Sequence, residues 1–259
     1  MQNFNKILLG FIAIVAVGMA FFYAYKSFHG IRGTDLGSGN SVEVGGQGKF
    51  TIEKVDVPEG IKEPSLDRPI VFVADIPADA RVLMTKKIND LVVLLKKDPR
   101  SLLNWLKLGL DRKITGDYVG ATEAWEYVAS LAPSDPVAFA NLGEVYQYYL
   151  KDYPKAEKNM LAAVRLKPDY IAGYRALYDL YTLSYKEKVL EAPKVLLRGL
   201  AANPHAAELM IVLAEYYKGA GNKNNALIYY NKALAEAEST GNQQLINSLK
   251  GDISTINKQ

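Results

Sequence analysis

Four prolines recur at nearly constant spacing through the C-terminal two thirds of the chain. They stand at positions 99, 133, 168 and 204, so that the successive intervals are 34, 35 and 36 residues. Each proline follows a stretch whose apolar residues have helical spacing, and proline ends helices because it lacks an N–H group and clashes with the preceding turn. A period of this length predicts an array of helix–turn–helix units, which bury their apolar faces by stacking on one another.

Residues within each period follow a common pattern of large and small side chains. The small residues let the two helices of a unit approach closely, and the large ones fill the gaps between neighbouring units. The first period contains Trp105, Leu108, Gly109, Ala121 and Trp125. The corresponding residues of the later periods are Phe139, Leu142, Gly143, Tyr146, Ala156, Met160 and Ala163; Tyr174, Leu177, Tyr181, Ala192, Leu196 and Gly199; and Met210, Leu213, Ala214, Tyr217, Ala226, Tyr230 and Ala233.

This pattern resembles that of the tetratricopeptide-repeat (TPR) family over residues 78–257. The resemblance implies an all-α fold, a right-handed α-solenoid of about four helix–turn–helix repeats with a cap helix at each end. Solenoids need such half-polar terminal helices to stay soluble. The predicted repeats are residues 101–135, 136–170, 171–206 and 207–240, and the predicted cap helices are residues 78–97 and 242–257.

Two positions depart from the family pattern. Arg112 stands where the pattern has an aromatic residue, and Tyr178 replaces the small residue in the first helix of the third repeat. The second repeat also has one extra residue between its helices, and the third has two. We therefore expect looser or rearranged packing in the third repeat.

The N-terminal segment from Ile7 to Tyr25 has no charged residue. As a helix it would be about 28 Å long, close to the thickness of a bilayer's hydrocarbon core. A cleaved signal peptide is the alternative, with a small-x-small site at Gly18-Met19-Ala20, but apolar residues continue beyond that site. We predict an uncleaved transmembrane anchor over residues 1–29. Flanking positive charges are nearly balanced, and we expect the short tail to stay in the cytoplasm and the solenoid to be extracytoplasmic.

Residues 30–77 are interpreted as a flexible stalk. Its first part is rich in glycine and serine, which behave as a flexible coil. Two short β-prone runs follow, Phe50–Val55 and Ile70–Val73, with prolines between them. These runs either pair as a small hairpin or lie extended along the solenoid, and the sequence does not choose between the two.

Composition argues against several classes of function. The 31 basic and 28 acidic residues leave a formal charge of +3, without the concentrated basic field that nucleic acid requires. The chain has no cysteine and two histidines, and it lacks the motifs of metalloenzymes and phosphate-binding loops. We therefore expect no enzymatic activity, no cofactor, no metal, no small-molecule substrate and no nucleic acid partner.

The TPR resemblance implies a concave groove lined by the first helix of each repeat. We expect a membrane-anchored protein-interaction scaffold, which contacts the membrane through residues 7–25 and binds a protein or peptide in this groove. Alternatives are an assembly factor for an envelope machine or for cytochrome c maturation, and an RNA-binding helical repeat, which the balanced charge disfavours. The candidate groove residues are Lys113, Asn141, Glu144, Gln147, Tyr148, Arg175, Asp179, Thr182, Glu215 and Lys218.

Overall fold

The computed structural model describes two short strands and a long helical region. Described are residues 41–43, 49–51 and 62–258. The chain divides into two structural units, with the boundary between Asp56 and Val57. The predicted membrane anchor lies outside the described residues. Among the helices that are described, none is both long and apolar enough to cross a membrane.

The first unit contains a short antiparallel pair of strands. Strand β1 (Ser41–Glu43) pairs with strand β2 (Lys49–Thr51), and Val42 lies opposite Phe50. The sequence left open a pairing between the run that begins at Phe50 and the run Ile70–Val73. In the structure Phe50 pairs with β1 in a two-stranded sheet, and residues 70–73 form no strand.

Ten α-helices make up most of residues 62–258, and the all-α prediction is confirmed for this region. Between the sixth and seventh helices the chain forms a π-helical turn and a short 3-10 helix. The α-helices are α1 (Ala78–Lys97), α2 (Leu102–Thr115), α3 (Tyr118–Leu131), α4 (Pro136–Tyr148), α5 (Tyr153–Leu166), α6 (Ile171–Asp179), α7 (Ala192–Ala202), α8 (Ala207–Gly219), α9 (Lys223–Ser239) and α10 (Gln243–Lys258).

The recurring prolines lie two residues beyond the ends of α1, α3, α5 and α7. Between and after these prolines, successive helices pack against each other in pairs: α2 with α3, α4 with α5, α6 with α7 and α8 with α9. In three of the pairs a short polar side chain caps the second helix by accepting a hydrogen bond from a backbone N–H of its first turn. The capping residues are Asp117, Asp152 and Asn222.

The first of two core clusters extends from α1 to α8, through the helix pairs that the repeat pattern predicts. Trp105 and Trp125 are fully buried in the first pair, where the indole of Trp125 donates a hydrogen bond to the carbonyl of Leu106. Gly109 lies directly against that indole, so that a Cβ atom there would come within 2.3 Å of Trp125 Nε1. A second cluster, centred on the fully buried Tyr230, joins α8 and α9 to the terminal helix α10.

In three of the four helix pairs, the connection between the paired helices contains a residue with positive φ. Gly116 provides it in the first pair (φ 94°) and Gly221 in the fourth (φ 73°). In the second pair, which has the extra residue, Lys151 takes the left-handed conformation with φ 56°. A side chain with a Cβ atom adopts this region at a cost that glycine does not have.

Replacing Lys151 by glycine is expected to raise the free energy of unfolding by about 0.5–1 kcal/mol, because the left-handed strain then disappears while the exposed side chain is lost without penalty. Lys151→Ala is the matched control, since alanine keeps the strain, and we expect no gain from it. Urea unfolding followed by circular dichroism measures both. Equal stability of the glycine and alanine variants would contradict the strain at this turn.

Packing is rearranged in the third helix pair, as the sequence departures suggested. Helix α6 is only nine residues long and passes directly into the π-helical turn at Leu180–Ser184. The ring of Tyr178, at the position that the family pattern reserves for a small residue, lies edge-on to Tyr216 of α8, with centroids 6.4 Å apart. The bulky ring is thus accommodated by a contact with the next helix pair.

Residues 66–73 lie across the turn between α2 and α3, and we call them the strap. The backbone N–H of Val73 donates to the carbonyl of Thr115 at 2.9 Å, and the Val73 side chain covers Gly116. The sequence assigned these residues to a flexible stalk, and that prediction is wrong for the strap. Specific hydrogen bonds and ion pairs hold the strap to the first helix pair.

A buried charge network fixes the strap. Arg68 of the strap forms two hydrogen bonds with the carboxylate of Asp117, at 2.8 and 2.9 Å, and also pairs with Glu123. Arg112 binds Asp117 from the other side at 2.6 Å and donates to the strap carbonyls of Arg68 and Pro69. Arg112 therefore replaces the aromatic residue of the TPR pattern because its guanidinium anchors the strap.

Acid is expected to weaken this network. Burial alone would raise the pKa of Asp117, but hydrogen bonds from Arg68, the Gly120 N–H and Arg112 outweigh burial and hold that pKa below its usual value. A carboxyl with a lowered folded-state pKa contributes stability above its unfolded pKa of about 4, and this contribution is lost as the pH falls through the folded value. Urea midpoints measured from pH 6 to pH 3 should therefore fall more steeply for the wild type than for Asp117→Asn. Parallel curves would contradict this assignment.

Candidate functional site

Helices α4 and α6 bring four of the predicted groove residues together. The guanidinium of Arg175 pairs with Asp179 one turn further along α6, at 3.3 Å. Tyr148, at the end of α4, is 45% exposed. Partial burial raises the pKa of its hydroxyl, and the nearby carboxylates of Asp179 and Glu144 raise it further. The hydroxyl is therefore a protonated hydrogen-bond donor among charged groups at neutral pH.

Helix α8 extends this arrangement with a further ion pair. Lys218 pairs with Glu215 at 2.8 Å, and Tyr230 of α9 donates a hydrogen bond to the same carboxylate. Burial raises the pKa of Glu215, but the hydrogen bonds from Lys218 and Tyr230 outweigh burial and hold that pKa below its usual value. Thr182, in the π-helical turn, donates a hydrogen bond to the carbonyl of Tyr178 in α6 at 2.9 Å.

Two predicted groove residues are buried and do not offer their side chains to a ligand. Lys113 lies beneath the surface and pairs with Glu144 at 2.6 Å, which connects α2 to α4. Gln147 is fully buried and donates to the hydroxyl of Ser184 in the π-helical turn at 3.1 Å. Both side chains support the surface from beneath, because each has a polar partner on a neighbouring helix pair. Asn141 is half-buried on α4.

Two aromatic side chains belong to this site although the sequence did not assign them to it. Tyr178 and Tyr216 are half-buried and form the edge-on contact described above. Burial raises the pKa of Tyr178, with smaller contributions from Asp179, Tyr216 and Glu215, and Arg175 opposes these. The sequence did contain a signal for Tyr178, because this large residue stands where the repeat pattern has a small one. We call the exposed parts of Glu144, Tyr148, Arg175, Tyr178, Asp179, Glu215 and Tyr216 the A-face.

The charges of the A-face are neutralised within the protein. Glu144, Arg175 and Glu215 each have a partner of opposite charge at 2.6–3.3 Å. A strongly charged ligand would have to compete with these pairs, whereas an uncharged segment would find tyrosine rings and hydroxyl groups. The arrangement therefore suits apolar and hydrogen-bonding contacts, and it contains no nucleophile paired with a base.

The repeated helix pairs, with their proline-marked ends and buried cores, define a TPR-like α-solenoid. No protein-family model matches the chain. Two crystal structures of MamA have similar folds, each 21% identical to this chain and covering 64% of it. Their TM-scores are 0.51 and 0.50, with 88% and 98% of the respective MamA chains covered. At this identity the similarity shows the fold alone.

One sequence relative is the protein FlbA of Caulobacter vibrioides. It is 29% identical to this chain over 142 residues, which are 54% of this chain and 23% of FlbA. The chain therefore matches less than a quarter of the length of this relative. The similarity concerns a segment and not the whole of either protein.

Proposed function

We propose that the protein is a non-enzymatic interaction scaffold that binds an extended protein segment on the A-face. The observation that carries this proposal is the combination of half-exposed tyrosines with ion pairs that are already closed. Tyrosine supplies a large contact area and a hydroxyl at low cost in conformational entropy, and it is enriched at protein interfaces. A helical surface that is already formed also spares the scaffold the cost of ordering itself on binding.

The expected ligand is a segment of low net charge. Binding a phosphate group or an acidic tail would require free cations, but Arg175 and Lys218 are both engaged by carboxylates. An extended segment with apolar or aromatic side chains can pack against Tyr148 and Tyr178 while its backbone bonds to the tyrosine hydroxyls. The sequence predicted a groove lined by the first helix of every repeat, and the proposed binding surface is limited to α4, α6 and α8.

The proposal places this scaffold at a membrane, with residues 7–25 as the anchor and the solenoid outside the cytoplasm. Its support is the uncharged run of the sequence, whose length matches the hydrocarbon core of a bilayer. Extraction of membranes with alkaline carbonate tests the anchor: the full chain should remain with the lipid. Its release into the supernatant would contradict membrane insertion.

The binding proposal is tested by inverting one ion pair of the A-face. Arg175→Asp combined with Asp179→Arg keeps a pair within α6 but exchanges the positions of its hydrogen-bond donor and acceptor groups beside Tyr148, so that the backbone of an uncharged segment meets mismatched groups. Partners are first fixed to the full chain by chemical crosslinking and identified, and their affinity is then measured. We expect the double variant to bind at least tenfold more weakly, with a nearly unchanged melting temperature, because exposed pairs contribute little to stability.

A matched control inverts an exposed pair away from the A-face. Glu191 and Lys194 pair at 2.7 Å at the start of α7, and their side chains (46% and 63% exposed) are more exposed than those of the α6 pair (26% and 43%). Glu191→Lys combined with Lys194→Glu should leave partner affinity unchanged. If both double variants bind the partner as tightly as the wild type does, the A-face is not the binding site.

A further inference from the structure

Within residues 62–258, the outer face of the first helix exposes four large apolar side chains. Helix α1 packs through Met84, Ile88, Leu91 and Leu95, all of which are buried. On the opposite side, Val82 is 72% exposed, together with the three residues Leu83 (54%), Val93 (53%) and Leu94 (46%). Exposed large apolar side chains that are grouped on one helix face are a mark of interaction sites.

These four side chains form two lines along the helix. Val82 and Val93 are eleven residues apart, which is about three full turns, so they lie on nearly the same line. Leu83 and Leu94 have the same separation and form a second line, about 100° around the helix. The charged residues Asp79, Lys86, Asp90 and Lys97 all lie on the strip between the two lines, and all four are exposed.

The order of residues on this face is self-complementary under a two-fold axis. Consider two α1 helices that pack antiparallel, with the two-fold axis at the level of Ile88. A residue before Ile88 in one copy then faces the residue about equally far after Ile88 in the other copy. Val82 then faces Val93 of the other copy, and Leu83 faces Leu94. In the strip between the lines, Lys86 faces Asp90 and Asp79 faces Lys97. Each apolar residue thus meets an apolar one and each charge meets its opposite, as a two-fold interface requires.

We propose that a second copy of this chain docks on α1 and forms an antiparallel, two-fold dimer. In the single chain Lys86 pairs with Asp90 within α1 at 2.7 Å, and both side chains are largely exposed, so they can exchange partners at little cost. A head-to-tail stack is disfavoured, because no large apolar side chain left exposed in residues 62–258 lies on the terminal helix α10.

The expected affinity follows from the size of the contact. Two helices of 20 residues bury less surface than a standard permanent interface. The dimer should therefore exchange with the monomer, with a dissociation constant on the order of micromolar. Sedimentation of the full chain in mild detergent should show an average mass that rises with protein concentration.

The absence of cysteine from the chain permits a sharp test by disulfide crosslinking. Chains carrying Leu83→Cys are mixed with chains carrying Leu94→Cys and oxidised mildly at micromolar concentration. In the proposed dimer these two positions face each other, within the reach of a disulfide. Leu83→Cys alone is the matched control, because its two copies would lie about 15 Å apart along the helix pair. We expect at least tenfold more disulfide-linked dimer in the mixture than in the control.

Charge variants supply an independent readout. Lys86→Asp and Asp90→Lys should each abolish the concentration-dependent rise in mass, because like charges then face each other, and the two changes combined should restore it. Melting temperatures should stay close to the wild type, since these side chains are exposed.

The proposal is overturned if the mixture and the control crosslink equally, or if the chain stays monomeric. A monomer whose cysteine at position 83 resists alkylation would show that another segment of the same chain covers the face.

Discussion

Replacing Asp117 by alanine is expected to lower the free energy of unfolding by about 3–5 kcal/mol, the largest effect of any single change considered for this chain. The carboxylate is 5% exposed and holds two arginines and the first turn of α3 at once. Its removal leaves the guanidinium of Arg112, which is 3% exposed, without its nearest counter-charge. It also leaves Glu123 as the remaining carboxylate partner of Arg68, which weakens the attachment of the strap.

The matched control is Asp152→Ala in the second helix pair. Asp152 caps α5 as Asp117 caps α3, but its ion pair with Lys155 is long, at 3.4 Å, and partly exposed. The loss there should be about 1 kcal/mol, which is the usual contribution of a cap. Urea unfolding measures both variants, and the fluorescence of Trp105 and Trp125 reports on the first pair. Equal losses at the two positions would show that the charge network adds nothing to the cap.

Gly109→Ala is expected to cost about 3 kcal/mol, because the new methyl group would overlap a side chain that cannot move aside. It would lie 2.3 Å from Nε1 and 2.6 Å from Cε2 of Trp125, a rigid indole that is fully buried and hydrogen-bonded. The tryptophan fluorescence of the folded variant should shift as the indole is displaced. Unfolding by urea gives the change in stability.

The matched control for this substitution is Gly251→Ala. Gly251 lies inside α10, and a Cβ atom there would meet nothing within 4 Å. Alanine is the better helix former, so this variant should gain about 0.5–1 kcal/mol. A neutral or stabilising effect of Gly109→Ala would contradict the close approach of α2 and α3 that the structure shows.

The helices were predictable because their signals are local. A proline after an apolar periodic stretch ends a helix wherever it occurs, and the predicted cap helix at residues 78–97 has the same bounds in the structure. The buried network was not predictable. Arg112 departs visibly from the repeat pattern, but its purpose depends on Arg68, which is 44 positions away in a segment without regular structure. Sequence spacing alone does not reveal such a contact.

For the candidate site, the sequence predicted on which helices its residues lie, but not the surroundings of each side chain. The repeat register placed Tyr148, Arg175 and Asp179 on helices that the structure brings side by side. It also assigned Lys113 and Gln147 to the groove, where they are buried, because their partners Glu144 and Ser184 belong to other helix pairs. The π-helical turn that carries Ser184 arises from the two extra residues of the third repeat, and a repeat pattern does not specify how an insertion is absorbed.

The most direct test of binding at the A-face is to locate the bound partner on the surface of the full chain. A photo-crosslinking amino acid is introduced in place of Tyr148 on the A-face, and separately in place of Ile228, which is similarly exposed on α9. We expect irradiation in cells to attach a protein partner at position 148 and not at position 228. Combining the first variant with the inverted Arg175 and Asp179 pair should remove the adduct. Adducts that form at position 228 alone, or that persist at position 148 after the inversion, would contradict binding at the A-face.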